Sequence, residues 1–321
     1  MAFVRRSAVP LWPISLDHVG VSADASAPAI GRALAGTPPQ AYFVVSAVFH
    51  YLGPAFAVLL FARVDPVGVA WLRIASAGAI FAGWRRPWRA ARGIGAGTWR
   101  LLLTLGLVLA VMNSCFYVAI DRLPLGTVAA IEFLPVIALA ALGTRTSRNA
   151  LALALAVPGV YLLTDVRVEG EPVGVALAFA NAGLFALYIV LAHRVSRSPE
   201  IGRIDGLAAA MLIATVAITP IGGWSAAPAF LDPVAIGAGI GVGVASSVIP
   251  YVFDQLAMAR LSRATYSLLV SLLPATATVI GILVLAQVPS AIEVLGVALV
   301  VAAVAVHRET AETVAGEAPA P

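Results

Sequence analysis

Ten runs of apolar residues fill most of the chain between residues 42 and 307. Each is near the roughly 20 residues a helix needs to cross a bilayer. They fall at 42–62, 66–84, 101–120, 125–143, 149–165, 173–193, 206–222, 233–254, 264–287 and 290–307. Soluble domains are about 45–50% apolar and about 25% charged; here 61% of residues are hydrophobic and 11% charged. The pattern predicts an all-α polytopic membrane protein with ten transmembrane helices. The lipid bilayer is its first partner.

The flanking charges set an orientation. All twenty basic residues are arginines. With the N-terminus inside, sixteen of them fall in cytoplasmic segments, against Arg63, Arg122 and Arg167 on the opposite side, with Arg73 inside a span. By the positive-inside rule both termini are expected in the cytoplasm. The sequence pI of about 9.6 is therefore read as a topology signal facing anionic lipid, not as a sign of nucleic acid. Residues 1–39 lack a continuous apolar stretch and are expected to be a disordered cytoplasmic extension, and 308–321 a cytoplasmic tail.

The spans divide into two sets of five, residues 40–165 and 166–307. Five is odd, so the second set starts from the opposite side, which predicts two inverted five-helix repeats. A local echo supports the division. The stretch Met112–Tyr117, Pro124–Thr127 and Ile131–Pro135 has a weaker counterpart at Ile249–Asp254, Arg260–Thr265 and Ser271–Pro274. In the eighth span, Gly237, Gly241 and Ala245 recur at four-residue spacing and are expected to form a close packing face, with Gly239, Gly243 and Ser247 beside them.

Polar residues inside the spans mark the candidate site. At the rise of a helix, Arg73 and Glu132 both lie about 10 Å into spans that begin outside, and Asn113 comes about 10–12 Å before the outer end of its span. A charge at membrane depth costs about 2.5–3.5 kcal/mol on insertion scales, so pairing is expected. The three residues predict one polar layer, with Arg73 and Glu132 as a buried ion pair and Asn113 placed to bridge them. An arginine suits a carboxylate by bidentate hydrogen bonding, and a carboxylate suits an ammonium group. Tyr117, Asn181, Tyr188 and Tyr251 are further substrate-binding candidates. Glu132, His50 and Asp254 are candidates for proton coupling, Asp254 having Arg260 as an alternative partner.

The chain has a single cysteine, Cys115, which excludes an intrachain disulfide and a multi-cysteine metal site. It contains no Walker loop, no His-Glu-x-x-His motif and no serine elbow. No cofactor, metal or nucleic-acid partner is expected, and no enzymatic activity. A small-molecule substrate is expected, moved by a gradient, with proton counter-transport as the candidate source of energy.

The motifs Leu72-Arg73, Met112-Asn113, Phe116–Ile120, Pro124–Gly126, Ala130–Phe133, Ala186–Ile189 and Pro250-Tyr251 with Asp254 resemble the EamA-type branch of the drug/metabolite transporter superfamily, and within it the bacterial threonine/homoserine exporters. The resemblance runs from about residue 40 to 307. It implies ten helices in two inverted repeats, cytoplasmic termini, a central cavity lined by both halves, and export of small amino-acid-like metabolites across the bacterial inner membrane. Efflux of another metabolite or drug is the alternative within transport; an intramembrane enzyme and a membrane scaffold are the rivals outside it. Leu273-Pro274 and Ala286-Gln287 stand where the exporters often carry acids.

Overall fold

The computed structural model describes residues 38–143, 146–168, 171–196, 198–258, 261 and 269–306. The extension and the tail named above lie outside these residues, apart from the first helical turn. The described chain is helical, without strands. Its longer helices are α1 (Pro39–Leu60), α2 (Pro66–Arg85), α3 (Ala96–Arg122), α4 (Leu125–Gly143), α5 (Ser147–Val168), α6 (Pro172–Ser196) and α7 (Arg203–Ile218). There follow α8, α9 (Leu273–Leu285) and α10 (Ala291–Val306). Helix α8 has three consecutive pieces: Pro233–Gly243, a π-helical turn Val244–Val248, and Ile249–Met258. A second π-helical turn, Thr219–Gly223, extends α7.

The helix positions follow from the apolar runs, and their starts from local chemistry. Asp65 and Asp232 cap α2 and α8: their carboxylates accept from the Val67 amide at 2.9 Å, and from the Val234 and Ala235 amides at 2.9 and 3.2 Å. Proline opens both helices, where its missing N–H costs nothing. Helices α1, α2, α3, α6 and α7 with its π turn are long and apolar enough to cross a membrane, and α4, α5, α8, α9 and α10 carry shorter apolar stretches. The expected run 264–287 is described here only from residue 269. Large hydrophobic side chains such as Val216 and Leu283 face outward, as lipid-facing residues do.

One end of the bundle carries Arg63, Arg122 and Asp232; the other carries Arg85 and Asp205. Ion pairs join elements at each end: Arg63 to Asp232 at 2.6 Å, and Arg85 to Asp205 through two bonds of 3.0 and 3.2 Å. Trp84, Trp88 and Trp99 are exposed near the Arg85 end, where the sequence places interfacial anchors.

Helices distant in sequence pack against one another. Helix α1 packs against α8 and α9, and α6 packs against α3 and α4. Helix α2 packs against α8, and α7 against α3. The pairs α2 with α7, α4 with α9 and α5 with α10 also touch.

The glycine stripe of α8 works through a different face from the one expected. Nothing lies within 4 Å of a Cβ placed at Gly237 or Gly241. The neighbouring pair does the packing: a Cβ at Gly239 would meet Leu72, and one at Gly243 would meet Ser76 and the Arg73 carbonyl. Both sets share the same spacing, and only the rotation of α8 about its axis decides which faces α2.

Candidate functional site

A cavity of about 210 Å³ lies between α1, α2, α3, α4, α6, α7 and α8. His50, Arg73, Asn113, Glu132, Asn181, Tyr188 and Asp254 all line it. The residues expected from sequence are thus brought together, with two exceptions. Tyr117 is fully buried behind the wall, and Tyr251 lies in α8 with its side chain outside the described atoms.

Arg73 is held in a polar cradle. Its Nη1 donates to Asn113 Oδ1 at 2.8 Å, its Nε to Ser247 Oγ at 3.3 Å, and its Nη2 to the Ser246 carbonyl at 3.3 Å. That carbonyl is available for a reason written in the sequence. Pro250 has no N–H to return to the residue four positions earlier. The π-helical turn Val244–Val248 falls at the same place, as such turns often do at functional sites. Asn113 Nδ2 donates to the Leu109 carbonyl at 2.8 Å, which fixes the amide with its oxygen toward Arg73. The Arg73 guanidinium also lies over the Tyr117 ring, 5.6 Å from its centre.

Glu132 is buried in the middle of α4 and accepts from Asn181 Nδ2 at 3.0 Å. The expected ion pair is therefore not formed: Arg73 and Glu132 face the same cavity, and each is held by a neutral amide. Asn181 Oδ1 is buried and makes no hydrogen bond. An acceptor left unpaired beside a carboxylate forms a pocket for a donor-rich group, since buried polar atoms are rarely left unsatisfied.

The rest of the wall is aromatic and small. The Phe185 and Tyr188 rings stack at 6.1 Å, and the His50 ring meets Tyr51 edge-on at 5.1 Å. Asp254 lies toward the Arg85 end; its proposed partner Arg260 is outside the described residues. Helices α1 and α8 come very close here, because a Cβ at Gly53 would sit 2.5 Å from that of Ser246. Sequence reasoning missed Ser46, which donates to the Pro250 carbonyl at 3.2 Å, and the two serines of the Arg73 cradle. The available signal was a Ser-Ser pair four residues ahead of a mid-span proline. Among the described residues no group of three or more His, Cys, Asp or Glu could hold a metal.

A second cavity, of about 320 Å³, opens at the Arg63 end. It is bordered by the α3–α4 and α9–α10 connections. Gln287, in place of the acid noted above, accepts there from the Leu125 amide at 3.0 Å and so caps α4.

Comparison with known proteins places the chain. Over 255 residues it is 32% identical to the threonine/homoserine exporter RhtA of Salmonella typhimurium strain SL1344, covering 78% of this chain and 84% of that protein. The Escherichia coli K12 exporter of the same name is 31% identical over the same length. Residues 172–307 match the EamA-like transporter family. The chain belongs to that family. It is a multi-pass membrane protein and a transporter, not an enzyme. A protein of known crystal structure shares the fold of this EamA-like chain at a TM-score of 0.52 and 19% identity, over 83% of this chain and 98% of its own.

Proposed function

We propose that this protein is a secondary transporter of the bacterial cytoplasmic membrane that exports small zwitterionic amino acids, of the threonine and homoserine type, by alternating access. One observation carries the reading. Two opposite charges share one cavity without neutralising each other. A zwitterion has the complementary pair. Its carboxylate suits the Arg73 guanidinium, and its ammonium, with three donors, suits the Glu132 carboxylate together with Asn181 Oδ1. The names of the RhtA relatives point to the same substrate class.

The crossed packing supports a two-fold arrangement of inverted five-helix repeats, residues 40–165 and 166–307. Exchanging α1 with α6, α2 with α7, α3 with α8, α4 with α9 and α5 with α10 carries the main contacts between the halves into one another. The arginine distribution supports a cytoplasmic Arg85 end, with both termini on that side. The cavity reaches from the charged layer to Phe81, Leu207 and Asp254, toward that end. The arrangement is that of an inward-facing state ready to take substrate from the cytoplasm. Proton antiport would use Glu132 as the group for which proton and substrate ammonium compete, with His50 and Asp254 along the cytoplasmic approach.

Efflux from cells preloaded with labelled threonine, homoserine and a small metabolite panel tests the reading, with Arg73→Ala and Glu132→Gln at matched membrane expression. Faster efflux of an amino acid with the wild type, lost in both variants, is the expected result. Efflux of no amino acid would remove the substrate class, and uphill export undiminished without a proton gradient would remove the antiport.

A further inference from the structure

The two charged ends of the site each offer one kind of hydrogen bond. Arg73 only donates, and Glu132 with Asn181 Oδ1 only accepts. A side-chain hydroxyl does both, and its natural match is a group that also does both. Most of the remaining cavity wall is apolar, with Ile74, Leu109, Met112 and Phe185 among it. The polar groups there are few. The Ser246 hydroxyl donates to the Val242 carbonyl, and the Ser247 hydroxyl accepts from Arg73. Asp254 lies one turn beyond Pro250, toward the Arg85 end. Two neutral groups remain, His50 and Tyr188, and among the described residues neither makes a hydrogen bond.

Position separates these two. Ser46, His50, Gly53 and Pro54 share one face of α1, at intervals of three and four residues. Ser46 reaches the Pro250 carbonyl at 3.2 Å, and Gly53 lies against Ser246, whose carbonyl accepts from Arg73. His50 is thus held between two contacts of α1 with α8, one turn or about 4.5 Å from the Arg73 cradle toward the Arg85 end. It is also within electrostatic reach of Arg73. Tyr188 lies about 10 Å along α6 from Asn181 and reaches neither charge. We infer that His50 is the specificity-determining residue of this site: its imidazole reads the hydroxyl of the substrate side chain and selects hydroxylated small amino acids over aliphatic ones of the same length. The neutral ring has one N–H donor and one nitrogen acceptor, and a hydroxyl can satisfy either. A β- or γ-hydroxyl lies only two or three bonds from the carbon that carries both charged groups, which suits a reader one turn from the charged layer. An aliphatic side chain displaces water and leaves both ring nitrogens unpaired, which costs affinity. The assignment rests on the zwitterion reading, because the charged ends place the side chain. It needs no change in the protonation of the ring.

Equilibrium binding to the full-length transporter in lipid nanodiscs tests it. The ligands are threonine, homoserine and α-aminobutyrate, which is both of them without the hydroxyl. Wild type should bind the two hydroxy amino acids about tenfold or more tighter than α-aminobutyrate. His50→Leu should lose that preference while its affinity for α-aminobutyrate stays within about threefold of wild type. His50→Gln keeps a donor and an acceptor and does not titrate, and it should retain most of the preference. A second readout uses the wild type with isotope-labelled imidazole nitrogens, the His50 resonances being those absent from His50→Gln. Threonine should shift them and α-aminobutyrate should not. A preference undiminished in His50→Leu, equal weakening of all three ligands there, or His50 resonances unmoved by threonine would overturn the assignment. Binding of none of the three to wild type would instead refute the zwitterion reading, and the role of His50 with it.

Discussion

The central and outer cavities hold the same kinds of residue and use them differently. In the outer cavity the buried acid Glu293 is consumed by structure. Its carboxylate accepts from the Ser290 amide at 2.9 Å while the Ser290 hydroxyl accepts from the Glu293 amide at 3.3 Å, a capping box that starts α10. The arginine there, Arg122, reaches Glu171 at 3.8 Å, with both side chains more than 40% exposed. In the central cavity Glu132 sits in mid-helix, where no backbone amide is free to satisfy it, and Arg73 is cradled by neutral groups. A buried charge that its own helix end explains is architecture. A buried charge held only by neutral amides is available to a ligand.

Four substitutions sharpen this contrast. Glu132→Gln should reduce amino-acid export by about a hundredfold with little loss of folding, because a membrane-depth carboxylate is replaced by a neutral isostere. Glu293→Ala should leave export intact and lower thermal stability in detergent by about 0.5–2 kcal/mol, the worth of a cap. Export lost equally in both would erase the distinction. Gly53→Ala drives a methyl into Ser246 at the Arg73 cradle, and overpacking of this kind costs about 1–3 kcal/mol; a melting temperature equal to wild type would show that α1 and α8 separate freely. Arg122→Ala, on the exposed pair, should change stability by less than about 1 kcal/mol and export not at all.

The smallest effect is one of pH. The Arg63 side chain, and then the α8 backbone amides, hold the Asp232 carboxyl below its usual range. A carboxyl lowered in the folded state contributes stability that is present above its unfolded pKa, about 3.9 for aspartate, and is lost as pH falls through the folded value. The difference between wild type and Asp232→Asn should therefore be constant from neutral pH to about 5 and shrink only in stronger acid. A difference that already vanished at pH 6 would contradict the assignment.

The helices were legible in the sequence because each apolar run is as long as the bilayer demands, and the described elements lie near them, apart from α9, the first residues of whose run are not among those described. The polar layer was legible for a related reason: residue count along a helix gives depth, and Arg73, Asn113 and Glu132 do meet at one cavity. Depth says nothing about rotation. That is why the sequence paired Arg73 with Glu132, whereas the helix azimuths give Arg73 to Asn113 and bring Asn181 of α6 to Glu132. The same blindness assigned the packing face of α8 to Gly237 and Gly241 rather than Gly239 and Gly243. It also named Tyr117 for the substrate, and the Tyr117 side chain is fully buried and is not part of the cavity lining.

The central claim is that Arg73 and Glu132 take opposite ends of one zwitterion. Equilibrium binding to the purified transporter in lipid nanodiscs tests it most directly, comparing threonine with its carboxamide and with its deaminated hydroxy acid. Wild type should prefer threonine over both. Arg73→Ala should lose only the preference over the carboxamide, and Glu132→Gln only the preference over the hydroxy acid. A preference for the free carboxylate that survives Arg73→Ala undiminished would contradict the account.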